Sequence, residues 1–362
     1  AMAETTGGYP LHLELIANAR NNQRVNYSEN ELSNLQLLIQ KNYERLPEGR
    51  RLIVQALSVL GGEAPVQLVL DTVSTKPALG KSVLLQNDDF VVRKQTSFAD
   101  TLVFRHDLFK EAVYDTMNQD SRKIFHLRAA VLLEGIHHSD SRFSSVISKH
   151  WKKAGNNQSA LDHAAAYLNH VNSIFHSTAV LEWAAEVESL ITELGLTEQN
   201  ADTLAHALTA AEETLGRTGQ TPEREETLDR LEKLATRYNL IDHLTSAYCS
   251  RGLIRKDQGR YDEAVKLVQK SADIAESHHN SYKAACALGT LASIISDLRD
   301  RLEESEKLYL KARDLLEKLD MPKDLGINSM HLGILYTDLG RNQKAIEYLN
   351  RASQIFRSIE FH

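Results

Sequence analysis

Apolar residues recur at helical spacing over most of this chain and at strand spacing in only one short region. The clearest helical pair runs Leu332-Gly333-x-x-Tyr336, Gly340, Ala345-x-x-x-Leu349, Ala352. Small residues stand where two helices must approach, larger ones stand beside them, and a glycine stands where the chain turns back. Gly252, Gly259, Tyr261, Ala264 and Val268 reproduce that spacing in an earlier unit. Ser293, Leu302, Ser305, Tyr309 and Ala312 echo it between the two, without the glycine turn. From Ala264 to Ser305 to Ala345 the steps are 41 and then 40 residues. Upstream, Ala160–Tyr167, Ala179–Val187, Leu204–Leu215 and Thr227–Ala235 carry the helical stripe in a more degenerate form, with Trp183 as a core residue.

The first third changes texture more often. Leu35, Leu38 and Ile39 mark one helix; Pro47 opens another through Ile53, Leu57 and Leu60 to a stop at Gly61-Gly62. Val66, Val69, Leu70 and Val73 predict a short helix, and Leu79–Leu85 a further one. Thr101-Leu102-Val103-Phe104 alternates as a strand does, and Asp88–Arg93 is expected to pair with it across a polar loop. Asp107 then reads as the N-cap of a helix carrying Leu108, Ala112, Val113 and Met117. Asp120 or Ser121 reads as the cap of the next, with Ile124, Leu127, Ala130 and Val131 as its stripe and Gly135 as its stop.

Composition narrows the function classes. At 362 residues the chain exceeds one ordinary core. It is 42% apolar and 25% charged with a formal charge of −7, which argues against a general nucleic-acid or anionic-membrane binder. Lys76, Lys81, Arg93 and Lys94 are a thin basic supply beside Asp88, Asp89 and Asp100. No apolar run approaches the roughly 18 residues of a membrane span. Two cysteines, Cys249 and Cys286, predict neither a disulfide framework nor a thiolate metal site. These features predict a cytoplasmic protein. No G-x-x-x-x-G-K-[ST] loop occurs; Gly80-Lys81-Ser82 has Thr75 where the first glycine belongs. His137-His138 and His278-His279 read as solvated helix ends, and Ser148-Lys149-His150-Trp151 as helix packing rather than a nucleophile arrangement. No catalytic and no metal-ligating residue is predicted, so the chain is expected not to be an enzyme by itself.

The hairpin skeleton resembles the tetratricopeptide repeat. Phe104-Arg105-His106-Asp107-Leu108, followed by Glu111-Ala112-Val113-Tyr114, resembles a segment of the STAND-class signalling ATPases, including the large LuxR-type regulators. Glu4–Leu15, with Gly8-Tyr9-Pro10, resembles the end of the lid in the same family. The resemblance implies a mainly α protein: the end of an ATPase lid helix over 1–25, a winged-helix subdomain over 26–118, and an α-solenoid of tetratricopeptide-like hairpins over 119–362. It implies that Pro10 lies against adenine, that His106 reaches the β-phosphate of ADP and that Asp107 holds the turn, all in the intact parent only. On the residues alone, Asp107 is equally a helix cap and His106 equally a packing residue. No cofactor is expected for this fragment; ATP and ADP belong to the parent. A protein or small-molecule effector is expected on the concave face, along Tyr248–Arg255, Tyr282–Ile295 and Asn328–Tyr336, with self-association on activation and no direct contact to nucleic acid or membrane. The chain is expected to begin inside a motif and to continue past Glu360. A free-standing repeat scaffold is the second reading.

Overall fold

The computed structural model describes residues 35–73, 90–95, 100–138 and 140–359. Among them are sixteen α-helices and one three-stranded sheet, so the protein is mainly α. The chain divides into two compact units, 1–170 and 171–362, which are taken separately.

In the first unit, α1 (Leu35–Glu44) precedes α2 (Glu48–Val59). Pro47 sits at the N-cap of α2, where its missing N–H costs nothing, and Gly61 and Gly62, both at φ 99°, end the helix region. β1 (Glu63–Pro65) leads into α3 (Val66–Val73), and β2 (Val91–Gln95) and β3 (Asp100–Phe104) form a hairpin. The sheet is antiparallel in the order β1-β3-β2, with Ala64 opposite Leu102 and Val92 opposite Val103. β1 was not expected: three residues ending in proline carry no alternating run for a sequence reading to find. The Leu79–Leu85 helix, Lys76 and Lys81 lie outside the described residues. Leu38, Ile53, Leu57, Val69, Phe90, Leu102 and Phe109 are buried together, with the Phe90 and Phe109 rings 4.8 Å apart.

α4 (Asp107–Thr116) and α5 (Gln119–Ile136) correct the sequence reading in register. The N-cap of α4 is His106, with extended backbone at φ −144° and ψ 144°, and Asp107 is the first helical residue. Phe109, Val113 and Met117 are buried, whereas Leu108 is exposed. The cap of α5 is Asn118, whose side chain accepts from the Ser121 N–H at 2.8 Å. Its buried face is Phe125, His126, Ala129 and Ala130, and Ile124, Leu127 and Val131 point outward. Each residue turns a helix by about 100°, so taking the aliphatic residues rather than the neighbouring phenylalanines moved the face by one position. α6 (Ser144–Ala154) and α7 (Asn157–Ser173) follow.

The second unit is an α-solenoid of paired helices: α8 (Ser177–Leu194), α9 (Glu198–Arg217), α10 (Thr221–Arg237), α11 (Ile241–Asp257), α12 (Tyr261–Ser277), α13 (Ser281–Asp297), α14 (Leu302–Lys318), α15 (Pro322–Asp338) and α16 (Asn342–Ser358). From α10 onward every helix has 17 residues. Each turn holds one residue at positive φ: Gly219, Asn239, Gly259, His279, Arg299, Asp320 and Gly340. The 41-then-40 period follows, because the α13–α14 turn is one residue longer than the others. Gly333 lets α15 close on α16, where a Cβ would meet Leu349 at 2.6 Å and the Ala345 carbonyl at 3.3 Å. Gly252 does the same against Val268 and Ala264. In the middle unit the close-approach residue is Ala292, whose carbonyl accepts from Ser305 Oγ at 2.8 Å; Ser293, read for that place, stands one position round the helix. First helices of successive pairs touch one another, α9 on α11, α11 on α13 and α13 on α15, and so form the tighter layer of the solenoid.

Candidate functional site

Pro10 lies outside the described residues. His106 and Asp107 are both exposed at the β3–α4 joint. The His106 side chain makes no capping bond and lies edge-on to the Phe109 ring at 5.7 Å. Among the described residues no group of three His, Cys, Asp or Glu could hold a metal ion.

The layer of first helices carries a polar strip instead. At one end His243 Nδ1 meets Thr209 Oγ1 at 2.9 Å and its Nε2 stands 3.4 Å from Asp202; burial pushes this imidazole down while the carboxylate opposes it. Lys283 Nζ donates to Ser246 Oγ at 2.9 Å between α13 and α11. Beyond them α11, α13, α14 and α15 line an open pocket of about 280 Å³. Its walls are Leu253, Ala285, Ile327 and Leu316, and its polar groups come from Cys286, Thr290, Ser293, Asp324, Asn328 and His331. The His331 imidazole is stacked on Tyr309, centroids 5.9 Å apart and 6° from parallel, and burial together with Lys256 lowers its pKa. Tyr282 Oη donates to Asp324 at 3.3 Å, and Thr290 Oγ1 donates back to the Cys286 carbonyl at 3.0 Å. Burial raises the Cys286 and Cys249 thiols, which disfavours the thiolate.

Two features of the cavity are not explained by folding. Asn328 is 5% exposed, yet its Oδ1 has no hydrogen-bond partner. Gly289 lies mid-helix with nothing closer than Asn328 Nδ2 at 4.0 Å to an added Cβ, unlike Gly252, Gly326 and Gly333, each of which admits a side chain from a facing helix.

The segments singled out from sequence supply Leu253, five lining residues from Ala285 to Ser293, and Asn328 and His331. Within them Tyr248, Arg255 and Tyr336 turn elsewhere, to Glu232 at 2.7 Å, Glu225 at 2.5 Å and Glu306 at 2.8 Å, and are spent joining helices. Asp324, Ile327, Tyr309 and Leu316 were missed. Asp324 and Ile327 precede the segment singled out on their helix, and Tyr309 and Leu316 belong to α14, a second helix. Gly289 in an alanine-rich helix was the available signal.

The tetratricopeptide repeat family profile matches residues 242–318 and 283–358, together α11 to α16. No curated protein sequence matches the chain. Among solved structures, a Signal Transduction ATPase with Numerous Domains (STAND) protein with a tetratricopeptide repeat sensor, from Pyrococcus horikoshii, is similar over 99% of this chain and 50% of that one, at 16% identity and a TM-score of 0.59. This chain thus spans half the length of that protein. A Rap protein complexed with competence and sporulation factor is similar over 70% of this chain and 72% of its own, at 16% identity and a TM-score of 0.49. Aspartyl phosphate phosphatase F from Bacillus subtilis follows, over 97% and 80%, at 12% identity and a TM-score of 0.47.

Proposed function

We propose that this chain is the sensor and relay portion of a cytoplasmic STAND-type signalling ATPase with a transcriptional or other signalling output. The observation that carries the reading is the fold likeness to a STAND protein with a repeat sensor over 99% of the chain. The His106-Asp107 pair at a strand-to-helix joint supports it independently. Residues 1–25 end the lid, 26–118 are a winged helix that relays nucleotide state, and the repeats take a protein or small-molecule effector along their first helices. In the intact protein Pro10, His106 and Asp107 contact ATP or ADP, and effector binding releases the protein to self-associate. The alternative, a free-standing interaction scaffold, is favoured by the matched repeats taken alone.

The chain itself is proposed to be inactive as an ATPase, because a triphosphate needs a backbone cradle and a metal-holding carboxylate and no phosphate loop occurs in the sequence. Calorimetric titration with ATP and ADP tests this. The expected outcome is no measurable binding at micromolar concentrations; sub-micromolar affinity would overturn the assignment.

A further inference from the structure

The pocket lined by α11, α13, α14 and α15 holds donors that folding does not use. Asn328 is 5% exposed; its Oδ1 is sealed from solvent without a partner, and its Nδ2 stands beside Gly289 at the pocket. Among the described residues neither that Nδ2 nor the His331 ring N–H meets an acceptor, and the ring is held by stacking on Tyr309. One charged acceptor is also unspent: Asp324 takes the Tyr282 Oη–H on Oδ2 at 3.3 Å, which leaves Oδ1. Asp324, Asn328 and His331 follow one another at four and three residues on α15 and therefore share one face. Thr290 Oγ1–H is committed to the Cys286 carbonyl. No lysine or arginine lines the pocket, and Lys283 and Lys256 are engaged with Ser246 and Asp297. A buried amide without partners and a helix-interior glycine without a reason in packing both cost stability, and both border the same 280 Å³.

Ligand chemistries meet this supply differently. An ammonium or guanidinium has no acceptor and would leave Asn328 Nδ2 and His331 as they are. A carboxylate offers acceptors to both but sets a second negative charge near Asp324. A carboxamide carries its acceptor and its donors on two atoms of one planar group. Its carbonyl oxygen has two lone pairs for the two N–H donors, and its NH₂ faces a carboxylate. We propose that this pocket receives a neutral carboxamide on a short aliphatic stem, its oxygen accepting from Asn328 and His331 and its N–H donating to Asp324. The proposal rests on the reading of the first-helix layer as the effector surface. The stem lies along Leu253 and Ile327, and Gly289 leaves the entrance open beside Asn328. The volume is near the lower bound of about 300 Å³ for small-molecule pockets and suits one such group. It reaches the site as the glutamine or asparagine side chain of a peptide or as a small free amide.

The test follows the methyl NMR signals of the full chain, Leu253 and Ile327 above all, at neutral pH during titration with four probes. These are butyramide, the peptide acetyl-Gly-Gln-Gly-amide, its glutamate counterpart and the γ-methyl ester of that glutamate peptide. The proposal expects saturable shifts at Leu253 and Ile327 with the glutamine peptide or butyramide, and the stronger of the two identifies the source. The three peptides share one backbone, so differences among them belong to the side chain. Glutamate keeps the shape and adds a charge, and should bind about ten- to a hundredfold more weakly. The ester keeps the carbonyl and loses the N–H for Asp324, so it should also bind more weakly than glutamine. Asp324→Asn should remove most of the discrimination against glutamate, an effect that a structural aspartate would not produce. Asn328→Leu should weaken glutamine binding at least about tenfold without lowering Tm, since it also removes an unsatisfied buried acceptor. An Asn328 serving only structure would instead lower Tm on replacement. Gly289→Leu should block the entrance in a folded protein. Equal binding of the glutamate or ester peptide, or no shift with any probe, would overturn the carboxamide assignment alone. Shifts that appear only on second helices, away from the first-helix layer, would overturn the effector surface with it.

Discussion

The residue that behaves least like its surroundings is His126. It is 2% exposed on α5, and its Nδ1 lies 2.9 Å from Nδ1 of His150 on α6, while Nε2 meets Tyr114 Oη at 2.9 Å. Two neutral imidazoles satisfy this contact only in complementary tautomers, one carrying its proton on Nδ1 and the other on Nε2; protonation of both would set two N–H donors face to face. Burial first, then the neighbouring His150, Lys153 and Arg122, push His126 down to about 3, and burial and Lys153 push His150 down to about 4. The unfolded imidazoles titrate near 6.5, so the unfolded chain binds more protons below that pH. Stability is therefore full above pH 6.5 and falls as pH drops toward 4, by up to about 1.4 kcal/mol per pH unit for each histidine. Urea melts of wild type and His150→Gln between pH 7.5 and 5 check this: the mutant should lose about one proton of the dependence. Parallel curves would mean the pair is hydrated and ordinary. Sequence reasoning had Ser148 to Trp151 as packing, and three of the four pack: Ser148 Oγ donates to the Ala160 carbonyl at 2.8 Å and His150 and Trp151 are buried, whereas Lys149 is exposed. It missed the partner, because the α5 face was set one residue out and His126 then appeared on the wrong side.

At the scale of the helix, one residue pattern explains the period. A 17-residue helix followed by a turn of three or four residues, with one position at positive φ, recurs from α10 to α16. Glycine meets that backbone demand without strain at Gly219, Gly259 and Gly340, whereas Arg299 and His279 meet it at a cost. The middle unit could thus be placed without a glycine turn. Register across each hairpin depends on small residues. Ala345 is 4% exposed, and its carbonyl is the backbone that Gly333 approaches. Ala345→Trp should destabilise the last hairpin by about 1–3 kcal/mol or more, read as a lowered Tm by circular dichroism. An unchanged Tm would place Ala345 on the outside and contradict the register. Helix existence, length and period were legible here because every second helix repeats the same demand. The groove was legible only as a face, since which polar side chains stay unpaired depends on neighbours 40 residues away.

Across the whole molecule, mainly α architecture could be read from periodicity, and the hairpin β2–β3 from alternation. Strand β1 could not, because its pairing with β3 is a tertiary event between segments 38 residues apart. The functional claim likewise joins distant parts: an effector surface on the repeats and a nucleotide contact at His106. A ligand shifts a two-state equilibrium only through its difference in affinity for the two states. If His106 holds ADP in the resting state, its loss removes a charge-assisted contact of roughly 1.5–3 kcal/mol. The most direct measurement is the ADP off-rate of the intact protein, wild type against His106→Ala, with Tm recorded on both. The account predicts release about ten- to a hundredfold faster, raised basal output and an unchanged Tm, whereas an unchanged off-rate in a normally folded mutant would contradict it.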